Sequence, residues 1–290
     1  MTTIEDVQTF NQTLGSNDGR YFNSTNEANY FGIEPSVNKV ESWQILSPIK
    51  EKPFGIKAIN RKIHKLFRAD KVEYSIKGVK KSFTNRQGVL IEYTEKKLPK
   101  PMGVEQIVYG DKVINLGNHK RNSVYPTKSA LGYLANGEIG IVTGQFKKKN
   151  AKYKGAPQYV EIEFSSQKDF VYTFKAKEFA EENNNPLELA YALTVHKAQG
   201  SEFGKVFLVV PNPCFLLSRE MLYTSLTRQK DKVILLYQGN AFDIKGLASP
   251  LKSDTLKRIT NLFLKPELVE VEGQYLEKNL IHQASDGKML

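Results

Sequence analysis

Leu187 to Pro211 reads LELAYALTVHKAQGSEFGKVFLVVP, and this stretch decides the fold class. A continuous apolar run, Leu189 to Val195, leads into a polar turn carrying His196, Lys197, Gln199, Gly200, Ser201 and Glu202. A second apolar run, Val206 to Val210, follows. Runs of this length, rich in Val and Leu and bounded by turn residues, read as buried strands of a parallel sheet. Polar and glycine residues clustered between two such strands mark a place for chemistry, because ligands of open α/β sheets sit beyond strand ends.

Working outward, REMLYTSLTRQK (Arg219 to Lys230) predicts a helix over Arg219 to Gln229. Ser218 is its cap and Glu220 sits in its first turn. KVILLY (Lys232 to Tyr237) reads as a further buried strand. Upstream, SWQILS (Ser42 to Ser47) is a short strand ended by Pro48. GIKAINRKIHKLFR (Gly55 to Arg68) is a helix with Ile56, Ile59, Ile63, Leu66 and Phe67 on one face and Lys57, Arg61, Lys62, Lys65 and Arg68 elsewhere. From about Lys71 short β-rich segments take over: VEYSI, VLIEY, VEQIVY, DKVINL, GEIGIVTGQF, QYVEIEF and FVYTF. Their turn punctuation suggests a small barrel or sandwich. Basic clusters lie at Lys80-Lys81, Lys96-Lys97, His119-Lys120-Arg121 and Lys147-Lys148-Lys149, interleaved with tyrosines, as in grooves that hold single strands. AEENNNP, residues 180–186, closes this region as a linker.

The motifs carry a resemblance. A-Y-A-L-T-V-H-K-A-Q-G-S-E-F resembles motif V of superfamily 1 DNA helicases in their RecD-like branch, and the Arg219 to Lys230 stretch resembles motif VI. WQILSPIKEKPFGIKAIN is similar to motif IV at Gln44, Leu46, Ser47, Pro48, Gly55 and Asn60. Gly110-Asp111-Lys112-Val113 and Asn136-Gly137-Glu138-Ile139-Gly140 resemble strands of the SH3-like insert of that branch. The fold implied is α/β: a RecA-like lobe, of the P-loop NTPase type but without its own P-loop, interrupted by a small SH3-like β-barrel. Expected divisions are an arm over 1–40 from a missing upstream lobe, the lobe's first part over 41–70, the insert over 71–180, and the lobe's second part with a mobile tail over 181–290.

The resemblance implies roles. Arg228 is the arginine finger that meets charge developing on a transferred phosphoryl group. Gln199, Gly200, Glu202 and Lys50 fall at nucleotide-binding positions, although related sequences carry arginine near Lys50, and lysine cannot match its planar two-point contact. Ser47, Pro48, Asn60, Thr194 and His196 fall at nucleic-acid-binding positions. ATP with Mg²⁺ is the implied cofactor, the magnesium belonging to a first lobe. The partners implied are single-stranded DNA and an N-terminal RecA-like lobe, in cis or in trans.

Composition agrees with that class. A formal net charge of +11 over 290 residues favours a polyanionic partner. The single cysteine, Cys214, allows no internal disulfide and suits a reducing cytoplasm. With four His beside it, a structural zinc site is not expected. No apolar run approaches the roughly 20 residues of a membrane span, so no membrane partner is expected. No G-x-x-x-x-G-K-[ST] string occurs, so the chain alone is expected not to hydrolyse ATP. The reading is a second motor lobe of an ATP-dependent DNA helicase. The alternative is a non-catalytic nucleic-acid-binding module or the subunit of a split motor.

Overall fold

The apolar run opening at Leu187 is two strands, not one. In this computed structural model, which describes residues 4, 6–15, 22–23, 29–30, 36–95, 99–147, 158–180, 185–212, 214, 216–240 and 244–255, the chain pairs antiparallel over Leu187–Leu189. It breaks at Ala190 and Tyr191, then pairs parallel with a different sheet over Ala192–Thr194. Two buried amides take up backbone groups at the break. Gln44 Nε2 donates to the carbonyls of Ala190 at 3.0 Å and Tyr191 at 3.1 Å. Asn60 Nδ2 donates to the carbonyls of Leu189 at 2.9 Å and Ala192 at 3.0 Å, and its Oδ1 accepts from the Ala192 N–H at 2.7 Å. The single strand expected from Leu189 to Val195 is corrected on this ground: amides 129 to 147 positions away in sequence allow the chain to change sheets inside an unbroken apolar run.

In chain order the elements begin with α1 (Val7–Thr13), β1 (Phe22–Asn23), β2 (Asn29–Tyr30), β3 (Trp43–Ser47), α2 (Ile56–Lys77), β4 (Val79–Thr84) and β5 (Leu90–Glu95). The middle of the chain supplies β6 (Lys112–Asn115), β7 (His119–Lys120), β8 (Val124–Tyr125), β9 (Tyr133–Leu134), β10 (Ile139–Lys147), β11 (Gln158–Phe164) and β12 (Gln167–Lys175). Then come β13 (Leu187–Leu189), β14 (Ala192–Thr194), β15 (Phe203–Val210), α3 (Arg219–Leu226), β16 (Gln229–Tyr237) and α4 (Ile244–Leu247). Two sheets dominate. One is parallel, ordered β14-β3-β15-β16; the other is antiparallel, ordered β13-β6-β10-β11-β12-β8. The mixed α/β class with a parallel sheet is as expected.

Several local expectations are corrected. VEYSI belongs to α2, which runs past residue 71 to Lys77, because helix continues through the Glu73–Lys77 pair at i,i+4 spacing. VEQIVY contains a tight turn closed by a bridge between Met102 and Ile107. α3 stops at Leu226, and Gln229 already begins β16. β16 is an edge strand with Leu235 and Leu236 exposed, so it is not a buried strand. The sequence from Ser253 to Leu264 also reads as a helix capped by Ser253-Asp254; of it only Ser253 to Thr255 are described, and they are not α-helical. Lys96-Lys97, Lys148-Lys149, residues 181–184 and the tail beyond 255 lie outside the described residues.

The largest departure concerns α2. Leu66, assigned to the apolar face, is 63% exposed, whereas Arg68, assigned to the solvent face, is fully buried. The buried ridge is Ile56, Asn60, His64 and Arg68, four residues apart and mostly polar. Polar burial on this scale requires partners. Asp111, in the loop before β6, supplies them. Its Oδ2 contacts His64 Nε2 at 3.1 Å and accepts from the Val108 N–H at 2.7 Å. Its Oδ1 accepts from the Tyr191 hydroxyl at 2.6 Å and lies 3.3 Å from Arg68 Nε. Burial alone would raise the Asp111 carboxyl, but His64, and after it Arg68 and Tyr191, hold it below the usual carboxylate range. Burial would lower His64, and Asp111 overrides that and raises it. Arg68 also donates to Asn11 Oδ1 at 3.0 Å, so one buried cluster ties α1, α2, the antiparallel sheet and the strand crossover together.

Candidate nucleotide and nucleic-acid site

The loop after β3 starts at the carboxyl edge of the parallel sheet. Ser47 is buried; its hydroxyl donates to the Phe54 carbonyl at 3.0 Å and accepts from the Ile49 N–H at 3.2 Å. Gly55 is required where the loop doubles back, since a Cβ there would stand 2.6 Å from the Lys50 carbonyl oxygen. Lys50 itself is exposed. At the same edge Thr194, paired in register with Ser47, accepts from the Lys197 N–H at 3.3 Å and starts the turn.

From Val195 to Glu202 the chain travels back toward the amino edge, where β15 opens with Phe203 opposite Gln229 of β16. Arg228 is the residue just before β16. Its Nε donates to the Thr224 carbonyl at 3.2 Å, one terminal nitrogen to the Ser201 carbonyl at 3.3 Å, and the other to Thr227 Oγ1 at 3.2 Å. Four residue steps of β3, roughly 13 Å, separate the two edges.

An open cleft of about 900 Å³ occupies the amino edge. His196, Lys197, Gln199, Gly200, Ser201, Glu202, Arg228 and Lys230 form one wall. Gly200 has φ +86 and open space around it, so backbone there is exposed to a ligand. Glu202 and Lys230 approach to 3.6 Å as a loose, exposed pair. The opposite wall comes from the antiparallel sheet: Asn136 to Ile139 and Ser165-Ser166, with Glu41 between. Glu138 stiffens that wall, accepting from the Ala135 N–H at 2.9 Å and the Ser166 hydroxyl at 2.5 Å. The Ser165 hydroxyl donates to Glu41 Oε1 at 2.8 Å.

The structure therefore gathers Gln199, Gly200, Glu202 and Arg228, with His196 beside them. Lys50 lies elsewhere, and Ser47, Pro48 and Thr194 sit at the opposite edge. Asn60 is 3% exposed and its amide is fully engaged with the crossover. Sequence reasoning missed the second wall. The N-G-E-I-G run was visible as a turn, but nothing local placed it across from Arg228, and Glu41 carried no signal at all. Among the described residues, no group of three or more His, Cys, Asp or Glu is arranged to hold a metal ion.

Residues 189–236, which contain the turn and Arg228, match the family model of the UvrD-like helicase C-terminal domain. The chain carries a UvrD-like helicase C-terminal domain. It is similar to the ATP-dependent RecD2 DNA helicase of Deinococcus radiodurans, 46% identical over 59 residues that make up 20% of the chain and 8% of that protein. It is also similar to the RecBCD enzyme subunit RecD of Buchnera aphidicola subsp. Schizaphis graminum, 26% identical over 215 residues, 68% of the chain and 32% of that subunit. The chain thus spans a third or less of the length of these relatives. A crystal structure of the Pif1 helicase from Candida albicans aligns with 74% of the chain and 48% of its own, with a TM-score of 0.37 and 15% identity. The UvrD-like domain match and the RecD similarities together support the C-terminal half of a RecD-like superfamily 1 helicase. No helix among the described residues is long and apolar enough to cross a membrane.

Proposed function

We propose that this chain is the second motor lobe of an ATP-dependent DNA helicase, with Arg228 as its arginine finger. The observation that carries this reading is the convergence of Arg228 with Gln199, Gly200 and Glu202 on one cleft at the amino edge of the parallel sheet. A triphosphate there would meet the cations of Arg228 and Lys230, while Glu202 and Gln199 offer acceptors for hydroxyl groups. Arg228 is held by three neutral acceptors, each worth about 1 kcal/mol net, so a ligand's phosphate oxygens would compete for it successfully. Turnover needs a first lobe with the phosphate-binding loop and the magnesium carboxylate, in cis or in trans, and this chain by itself would not hydrolyse ATP. The SH3-like reading of the antiparallel strands belongs to the same proposal.

Single-stranded DNA would cross the carboxyl edge, at Thr194 and the exposed loop after Ser47. The Val195 to Glu202 segment joins that edge to the cleft, so nucleotide state and strand contact would share one short piece of chain. The test is Arg228→Ala in the motor reconstituted with its first lobe. Strand-stimulated ATP hydrolysis should fall by about 10³-fold or more, with affinity for single strands unchanged. A loss of strand affinity comparable to the loss of turnover would reject the finger.

A further inference from the structure

A second groove, of about 750 Å³, runs along α2. The ion pair of Lys197 with Glu188, at 2.6 Å, stands between it and the cleft: Lys197 lines the cleft and Glu188 the groove. We propose that this groove holds one phosphate–base unit of a bound single strand, the phosphate on Arg61 and Lys65 and the base against the opposite wall. The proposal rests on the reading above that the chain binds a single strand.

The helical wall presents Lys57, Arg61 and Lys65 at successive turns, about 6 Å apart along the axis. That rise is comparable to the spacing of phosphates along an extended strand. Lys57 is already neutralised by Glu51 at 2.6 Å, and Lys77 further along by Glu73 at 2.7 Å. Arg61 and Lys65 have no ion pair or hydrogen bond among the described residues. Two cations of the groove therefore remain for an anion.

The facing wall is built differently. Among the described residues, Asn185 Oδ1 is buried there without a hydrogen-bond donor, an unfavourable condition until a donor arrives. Glu105 accepts from the Leu189 N–H at 2.5 Å, and burial pushes its carboxyl up toward the neutral form, which reduces repulsion of an approaching phosphate. Gln106 is held at φ +56, a left-handed conformation unusual for a residue with a side chain, by the turn that the Met102 and Ile107 backbones close with two 2.9 Å bonds. Val104, 71% exposed, forms an apolar rim. The groove thus offers unpaired cations on one side and acceptors with an apolar edge on the other. A nucleotide supplies a matching anion, amino or imino donors and a flat apolar ring. An apolar helix supplies none of the polar complement.

The experiment is fluorescence anisotropy of the full chain with an oligothymidylate of about twelve nucleotides, titrated with NaCl. Arg61→Ala/Lys65→Ala should weaken binding about tenfold or more and make the log–log salt slope shallower by roughly 0.7, one single-strand phosphate contact. Arg86→Ala/Lys245→Ala, which removes the same charge from the tip of the β4–β5 hairpin and from α4, should leave both nearly unchanged. Lys50→Ala/Thr194→Ala tests the carboxyl-edge reading separately. Loss with that variant and none with Arg61→Ala/Lys65→Ala overturns the groove and leaves the edge. Loss with Arg61→Ala/Lys65→Ala and none at the edge keeps the groove and rejects the edge. Equal losses in the groove variant and in Arg86→Ala/Lys245→Ala mean diffuse charge and overturn the proposal. So does an effect on a polyglutamate peptide without one on the oligonucleotide, or no binding by the unaltered chain.

Discussion

Asn60→Ala separates a structural asparagine from one that touches nucleic acid. The side chain makes three hydrogen bonds to buried backbone, at 2.7, 2.9 and 3.0 Å. Its removal deletes three interactions of about 1 kcal/mol each and leaves three buried polar groups with partial access to water. The expected loss of unfolding free energy is about 3–4 kcal/mol, at the high end for one substitution. Trp43, the single tryptophan, lies in β3 next to the crossover, so its fluorescence during urea unfolding reports the event directly. The midpoint should fall with the slope unchanged. Asn60→Asp should be no milder at neutral pH, because a carboxylate keeps the bond from the Ala192 N–H but faces two carbonyls without a proton; part of its deficit should return as the pH falls and it protonates. A loss below about 1 kcal/mol, or a drop of tenfold or more in strand affinity while the protein remains folded, would refute the structural assignment.

Lys112 is fully buried, donating to the Trp43 carbonyl at 2.8 Å with its ammonium near the Trp43 and Phe203 rings. Burial lowers its pKa to about 7. The unfolded chain takes up the proton below about 10.5 and the folded one only near 7, so this group makes stability rise with pH between those values. Lys112→Met should abolish that rise in chemical unfolding, and should raise stability at pH 7. At the start of α3, Glu220 accepts from the Ser253 hydroxyl and from the Asp254 N–H at 2.9 Å, which draws its carboxyl down to about 2. Its contribution is present above the ordinary carboxylate range and is lost as pH falls toward 2; Glu220→Gln should speed amide exchange at Asp254 at neutral pH. Gly55→Ala should displace the loop after β3, since its methyl would meet the Lys50 and Lys52 carbonyls, and lower the thermal midpoint.

The parts legible in sequence were those whose cause is local. The polar turn between two apolar runs, the cap at Ser218, and the Gly that lets the loop after β3 close all follow from neighbouring residues. The cleft was half legible for the same reason: His196 to Glu202 and Arg228 lie within one compact stretch, while Glu41, Asn136 and Ser165 come from three others. α2 was misread because its buried ridge is polar. Periodicity identifies a core face by its apolar residues, and Asn60, His64 and Arg68 carry no such mark.

By itself the sequence determined the strand–turn–strand unit, the capped helix that precedes Arg228, and a strongly basic chain, because backbone propensity, capping and charge are properties of residues and their neighbours. Tertiary structure alone decided that Leu189 and Ala192 belong to different sheets, that Arg68 is buried, and that a turn of the antiparallel sheet faces Arg228 across the cleft. Each of those outcomes depends on a partner distant in the chain: Asn60 for the crossover, Asp111 for Arg68, and the packing of two sheets for the cleft. A buried amide or charge is tolerated only where such a partner arrives, and only the folded chain brings the partners together.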